Sequence, residues 1–474
     1  MGVIGVLKKF SEIGSTPYLL YNFQFFNLKE KIDSKSNFKQ VRLSDYFDII
    51  SGFAFSSKDY TTDGVRVCRI SDIKKTGRIE LENMHTLPDE YIYKYSNYKV
   101  LENDILIGMT GDGVYFKTGI FDHKNTDVLL NQRVGILRLK KEVKDCSPKF
   151  ISSLFNLEEV QNQIKIVAMG KTQKNVSPFD IINVYIPKLP YKKQLEIVEL
   201  IRPIEKEIRI LEDNSLDTFE IFNIVFAEEL GFDLEKFESL KAENKFSSNL
   251  KEFGNNIDCR FSFKFHNKAG QFVWDFLCTK TNKRIKDFIA EPIVLGKSVS
   301  PSDYDDEGVY YYIAMSNIKT WAFEPEDCQT VSNEYSLSNM NKSVQKDDII
   351  LARSGEGTIG KVALIEDEDI NAIHADFTQR IRLTNYNPRL AYYYMRSDFF
   401  QYLVYTHKKG LGNNTNIFPS QIQEFPIPDW NEDKQTEIVE KIKSQIDAQS
   451  IIDNQIEQKL QQINGIIENA IKTD

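Results

Sequence analysis

Cysteine is scarce and scattered. The five residues, Cys68, Cys146, Cys259, Cys278 and Cys328, form no CxxC pair and no dense pattern. That excludes a disulfide scaffold and points to a reducing cytoplasm. Long apolar runs are missing too: no stretch approaches 18 residues, so no membrane-spanning helix is expected. Met1 to Phe10 carries two lysines but neither a long apolar core nor a small-residue cleavage site, and does not read as a signal peptide. The five histidines are isolated, with no HExxH and no paired Cys/His spacing, so no metal ligands are assigned. No G-x-S-x-G nucleophile elbow occurs. A motif for methyl transfer to an amine, [NDS]-P-P-[YF], is missing as well. Ser177-Pro178-Phe179 lacks the second proline, and Asn387-Pro388-Arg389 lacks the aromatic residue also. No catalytic residue is assigned.

Net positive charge is absent: the balance is −9. Phosphate contact needs local positive charge, so the average argues mildly against nucleic acid. The acid is unevenly spread, however. Glu196, Glu199, Glu205, Glu207, Glu228 and Glu229 crowd one helical stretch, whereas Lys165–Lys174 and His407–Asn416 contain no acid. Basic loops on an acidic protein remain compatible with DNA.

What is present is a repeat. Phe23-Gln24-Phe25-Phe26-Asn27 recurs as Phe263-Lys264-Phe265-His266-Asn267. Asn103-Asp104-Ile105-Leu106 recurs as Asp347-Asp348-Ile349-Ile350, Gly111/Gly113 as Gly355/Gly357, and Gln132-Arg133 as Gln379-Arg380. Pro178, Pro187, Gln194 and Ile197 recur as Pro419, Pro428, Gln435 and Ile438, and the offset stays between 240 and 247.

The pattern divides the chain into an extension (1–17), a globular unit (18–189), a helical rod (190–231), a polar linker (232–257), a second globular unit (258–429) and a second rod (430–474). Val65–Ile70 alternates with period two, and Asp104–Gly108, Lys117–Phe121 and Val134–Leu139 are short apolar runs bounded by turn residues. Phe150, Leu154, Leu157, Val160 and Ile164 predict a helix over Pro148–Val167. Leu195, Val198, Ile201, Ile204, Ile208 and Leu211 form a seam of near-heptad spacing, which Pro203 should kink. Ile438, Ile442, Ile446, Ile452, Ile456, Leu460 and Ile463 form the second seam, with no proline inside it. Each stripe is too long for one small domain to cover, so antiparallel packing of the two rods is expected. Packing of each rod on its own unit, or between copies of the chain, is the alternative.

Gly355-Glu356-Gly357-Thr358-Ile359-Gly360-Lys361 fits seven positions of a phosphate-binding loop. Val362 then stands where the magnesium hydroxyl belongs, and the other copy has Phe116 in place of the glycine. Both stretches lead into strand-like sequence rather than a helix, so they read as glycine-rich hairpin turns. For reading DNA the suitable groups are amides and guanidiniums at base edges, with lysines on phosphates. The basic loop containing Lys171, Thr172, Gln173, Lys174 and Asn175 matches the one containing Lys408, Lys409, Asn413, Asn414 and Asn416. Thr110 and Lys117 flank one glycine turn, and Arg353, Ser354 and Lys361 the other. Ser51, Phe53, Ser56 and Lys58 add aromatic and polar groups in the first copy. All are candidate DNA contacts; the bland alternative is solvated loops.

In this order and carried twice, these elements resemble the DNA-specificity subunit of type I restriction-modification systems. The resemblance runs from about residue 20 to 474. It rests on Val41–Asp45 with Ser51–Phe55, the turns Asp104–Gly113 and Asp348–Gly357, the Gln-Arg strand, the glycine-to-isoleucine loop, and the exits Ile186–Ile197 and Ile427–Ile438. It implies an α+β fold: two similar α/β target-recognition domains separated by two long helices that form an antiparallel coiled coil, a pseudo-two-fold internal repeat. Each domain would read one half of a split double-stranded DNA target, and the rods would set the spacer and dock two methylation subunits. This chain would be non-catalytic and carry no cofactor. S-adenosylmethionine, ATP and Mg would belong to methylation and restriction or translocation subunits. The segment Lys283–Asp287 with Ile293–Lys297 lacks the Ser-Gly-Phe pattern of the first copy, so Ser51–Phe55 have no sequence counterpart there. Two other readings stay open: a duplicated recognition subunit of another defence or methylation system, and a coiled-coil scaffold without DNA function.

Overall fold

The computed structural model describes residues 36–111, 115–168, 174–243, 247, 260 and 262–472. They fall into two compact units: Met1–Asn214 with Ile452–Asp474, and Ser215–Ile451. The pair Phe23–Asn27 and Gly113 lie outside the described residues.

The first unit is built on two small sheets. The larger has strand order Phe47–Ser51, Val134–Leu139, Ile105–Gly108, Thr118–Ile120, all antiparallel. Successive side chains of a strand point to opposite faces. Ile105, Ile107 and Leu137 therefore enter a core with the helices Pro148–Leu154 and Glu158–Val167, while Leu106, Val134 and Ile136 enter a second core on the other face. Burial on both faces is why these strands read as unbroken apolar runs. The smaller sheet has the order His85–Leu87, Val65–Cys68, Val128–Leu130, its last pair parallel.

The second unit repeats this wiring. Its larger sheet runs Val294–Leu295, Thr378–Ile381, Ile349–Ala352, Val362–Leu364, and its smaller one Gln329–Val331, Tyr310–Ile313, Ala372–His374, again with the last pair parallel. Polar anchors repeat as well. The buried carboxylates Asp104 and Asp348 follow the left-handed residues Asn103 and Asp347 and accept from Leu101 N and Gln345 N at 2.7 and 2.8 Å. Gln194 accepts from Ser147 N and donates to Leu189 O, and Gln435 does the same with Asn387 N and Trp430 O. These glutamines tie the start of each rod to its own domain.

Hydrogen-bond register fixes the true equivalence at an offset of 244 through the larger sheet, and in the smaller sheet Val65–Cys68 match Tyr310–Ile313 at 245. Thr378 pairs with Ala352 as Val134 pairs with Gly108. This differs from the sequence reading of Gln132-Arg133 against Gln379-Arg380. The first pair is exposed in a turn, whereas Gln379 and Arg380 are buried in a strand, donating to Ile417 O and pairing with Glu291.

The helix Tyr191–Asp213 holds Pro203 inside it, and the chain breaks at Asn214–Asp217 before a second helix, Thr218–Leu230, capped by Asp217. The last long helix, Glu432–Lys472, is uninterrupted. Within the first unit its end runs antiparallel to Tyr191–Asp213: Lys459 bonds Glu207, and Leu460, Ile463, Ile467 and Ile471 share a core with Ile197, Val198, Ile201, Ile204 and Ile208. Within the second unit its start runs antiparallel to Thr218–Leu230, with Lys441 on Glu228 at 2.9 Å and Gln449 on Ser215 at 2.7 Å, over Ile438 and Ile442. Two expected seam positions are corrected. Leu195 is exposed, because the helix face toward the core carries Ile197 instead, and Leu211 is only half-buried. Ile456 packs partly buried at the edge of the seam. The stretch expected as a linker contains a helix, Leu234–Ala242, whose Phe237 is buried with Phe232 and Tyr402 around it. No helix among the described residues is long and apolar enough to cross a membrane.

Candidate nucleic-acid interface

At one end of the larger sheet in the first unit, backbone bonds string several candidate residues into a row. Gln132 N donates to Phe53 O, Met109 N to Arg133 O, and Val176 N to Met109 O. Lys174 and Asn175 pair antiparallel with Gly111 and Thr110, and the Thr110 hydroxyl donates to Asn175 Oδ1 at 2.8 Å. Ser51, the last residue of its strand, faces Gly135 across the sheet. The structure thus gathers Ser51, Phe53, Thr110, Lys174 and Asn175, and adds Gln132 and Arg133, which sequence reasoning left out of the site. Lys171, Thr172 and Gln173 lie outside the described residues.

The second unit forms the same row. Arg353 N donates to Phe377 O, and Ile417 N to Arg353 O. Ser354 bridges Asn416, and Asn416 bridges Lys409 with bonds in both directions. Gly410 sits at φ 102°, where a side chain would meet Asn414 O, so the loop tip needs glycine there. Asn414 is exposed in the short turn Gly412–Asn414, and Asn413 is placed there by its backbone alone.

The apparent loss of Ser51–Phe55 in the second copy is a loss of letters, not of geometry. Phe53 N donates to Leu130 O and Lys297 N to His374 O, so Lys297 occupies the Phe53 position. Gly52 and Gly296 precede them, and an added Cβ would lie 2.1 Å from Asn131 O in one and 2.0 Å from His374 O in the other. The shared glycine was the signal that could have matched the two segments.

Several candidates serve the fold instead. Phe53 packs against Phe55, Tyr95 and Tyr98, and Ser56 caps the turn Ser57–Asp59 by accepting from Lys58 N. Lys58 is exposed and Lys117 half-buried. Lys361 donates to Lys319 O at 2.6 Å and lies over Trp321, and its turn opens the strand Val362–Leu364, not a helix. Lys408 is buried beside Glu356 at 3.3 Å, and burial followed by the neighbouring Lys264 lowers its pKa. Glu356 is held below the usual carboxylate range chiefly by its bond from Lys264. It also accepts from Thr415, so it clamps the base of the loop.

The two rows can do similar chemistry. Each presents a sheet end with amide, hydroxyl and cationic side chains in a fixed register, suited to base edges and phosphates. Among the described residues no group of His, Cys, Asp and Glu could hold a metal.

The sequence of a known family matches here twice. The type I restriction modification DNA specificity domain covers residues 35–218 and again 279–462. No curated protein matches. Among solved structures, the S subunit of a type I restriction-modification system from M. genitalium is 13% identical, at a TM-score of 0.36 over 93% of this chain and 97% of that one. The HsdS subunit from Thermoanaerobacter tengcongensis is 13% identical, at 0.33 over 92% and 97%. A chain from a type I R-M system complex is 15% identical, at 0.40 over 92% and 98%. Two matches in tandem, each spanning one described row and the helix that follows it, make the chain a member of the type I restriction-modification DNA-specificity family with two target-recognition domains.

Proposed function

We propose that each recognition domain reads one half of a split double-stranded DNA target through its row at the sheet end. The observation that carries this reading is the repetition of the row's main backbone bonds, Met109 to Arg133 and Val176 in one domain and Arg353 to Phe377 and Ile417 in the other, within two copies of the specificity domain. Thr110, Lys174 and Asn175 form the first contact set, with Ser51 at the end of a strand of the same sheet, and Lys117 and Lys58 are further candidate contacts. Arg353, Ser354, Lys409, Asn414 and Asn416 form the second.

In this reading the chain is the non-catalytic subunit of a cytoplasmic restriction-modification complex. Its long helices dock two methylation subunits and set the spacer between the half-sites. Those subunits supply S-adenosylmethionine chemistry on a base flipped out of the duplex, because the target atom is inaccessible within the stack. Restriction subunits supply ATP- and Mg-dependent cleavage. The test is purification of the chain with its methylation partner, followed by selection from a random duplex pool. A split motif in the bound fraction supports the proposal; bound duplexes without sequence preference contradict it.

A further inference from the structure

The two rows differ at one equivalent place in a way that points to a base reader in each. In the first domain the backbone pair is Met109 with Arg133, and in the second it is Arg353 with Phe377, joined by the same N–H to carbonyl bond at 2.8 and 3.0 Å. Each pair supplies one arginine and one apolar side chain, but the arginine comes from opposite strands. We propose that Arg133 and Arg353 are counterpart base-reading residues, each presenting its guanidinium to the paired O6 and N7 acceptors of a guanine in its own half-site. This rests on the reading of the chain as a split-target specificity subunit.

Three observations carry it. First, both arginines sit beside the bridge that holds the basic loop, Thr110 to Asn175 in one domain and Ser354 to Asn416 in the other. Second, Arg353 is pre-positioned: its Nε donates to Asp376 O at 3.0 Å and its guanidinium lies 5.4 Å from the Phe377 ring centroid. That leaves both terminal nitrogens for the two-acceptor edge that guanine offers in the major groove. Third, Arg133 is exposed, and its guanidinium has no hydrogen bond or ion pair among the described residues. Apart from Arg66 in the smaller sheet, the other described arginines of that unit each hold a carboxylate, an amide or a phenol, as Arg138 holds Asp104 and Arg42 holds Tyr185. Sequence matching hid the correspondence, because it aligned Arg133 with the buried Arg380.

The experiment introduces Arg133→Lys, Arg133→Ala, Arg353→Lys and Arg353→Ala singly into the native gene and sequences modified bases in the host. The expected result is relaxed discrimination at one guanine of one half of the motif for Arg133→Ala, about 5- to 150-fold. Arg353→Ala relaxes one position of the other half, and each lysine variant relaxes its position less. Three results overturn the inference: an unchanged motif in all four strains, loss confined to no particular base (a phosphate contact), or both arginines acting on the same half. Deleting the gene separates this from the underlying reading. If deletion leaves the modified bases unchanged, the specificity role itself fails. If deletion removes the motif and the arginine variants leave it intact, only the present inference fails.

Discussion

Arg138 grips Asp104 with two parallel bonds, Nε to Oδ1 at 2.9 Å and Nη2 to Oδ2 at 2.6 Å, and Arg382 grips Asp348 the same way, both at 2.7 Å. Each carboxylate is nearly inaccessible and also holds the turn that opens the central strand of its larger sheet. Removing one partner of such a pair strands a buried charge, which costs about 3–5 kcal/mol. Arg382→Ala and Arg138→Ala are both expected toward the lower end of that range, since each arginine is itself partly exposed. Urea unfolding of the purified chain measures both.

The two domains fasten to their own helices by different chemistry. In the first, Arg78 pairs with Asp213 at 2.5 Å, Thr76 donates to Glu212, and Arg209 pairs with Asp122 at 2.5 Å. In the second, Trp321 occupies the place of Gly77 and stacks edge-on against Phe219, and Arg396 lies over Phe219, Phe222, Trp321 and Tyr392. Exposed ion pairs are screened as the Debye length falls from about 8 Å at physiological salt to about 3 Å at 1 M. Hydrogen exchange at 1 M salt is expected to accelerate around Lys74–Glu80 and to stay unchanged around Ile318–Phe323. Equal acceleration in both would count against the assignment.

Acid should weaken the second domain early. Burial lowers the pKa of His374 to about 3, with Arg380, Lys342 and Arg382 adding to the effect, and burial lowers that of His407 to about 4. A base depressed in the folded state contributes full stability above its unfolded value, near 6.5, and loses it as pH falls toward the folded value. Each unit of pH in that window costs about 1.4 kcal/mol per histidine. Melting temperature is therefore expected to fall steadily from pH 6.5 to 4, and His374→Gln should flatten the slope. An unaltered slope in that variant would remove His374 as the cause.

Lys408 and Lys409 are neighbours with separate expected effects. Lys409 is exposed on the bridged loop, so Lys409→Ala should reduce the slope of log affinity against log salt by about 0.9. Lys408 is buried against Glu356, so Lys408→Ala should lower stability and leave that slope nearly unchanged. Fluorescence titration of duplex DNA from 50 to 200 mM salt, roughly the range in which such contacts are felt, separates the two.

Much of this was legible in the sequence where one residue has one job. Asp104 and Asp348, Gln194 and Gln435, and the apolar runs of the sheets repeat because each bonds or packs locally in the same way. The arginine correspondence was not legible, because Gln379-Arg380 copies the letters of Gln132-Arg133 while strand register places it elsewhere. The helix seam was misread at Leu195 because that helix packs on its own domain as well as on the last helix, which moves the buried stripe to Ile197. Lys361 looked free for phosphate, but its bond to the Lys319 carbonyl depends on a fold contact that no local pattern encodes.

The most direct measurement is single-molecule sequencing of modified bases in the native host with and without the gene. The account predicts that deletion removes base methylation at one split motif and at no other. An unchanged set of modified bases would contradict it.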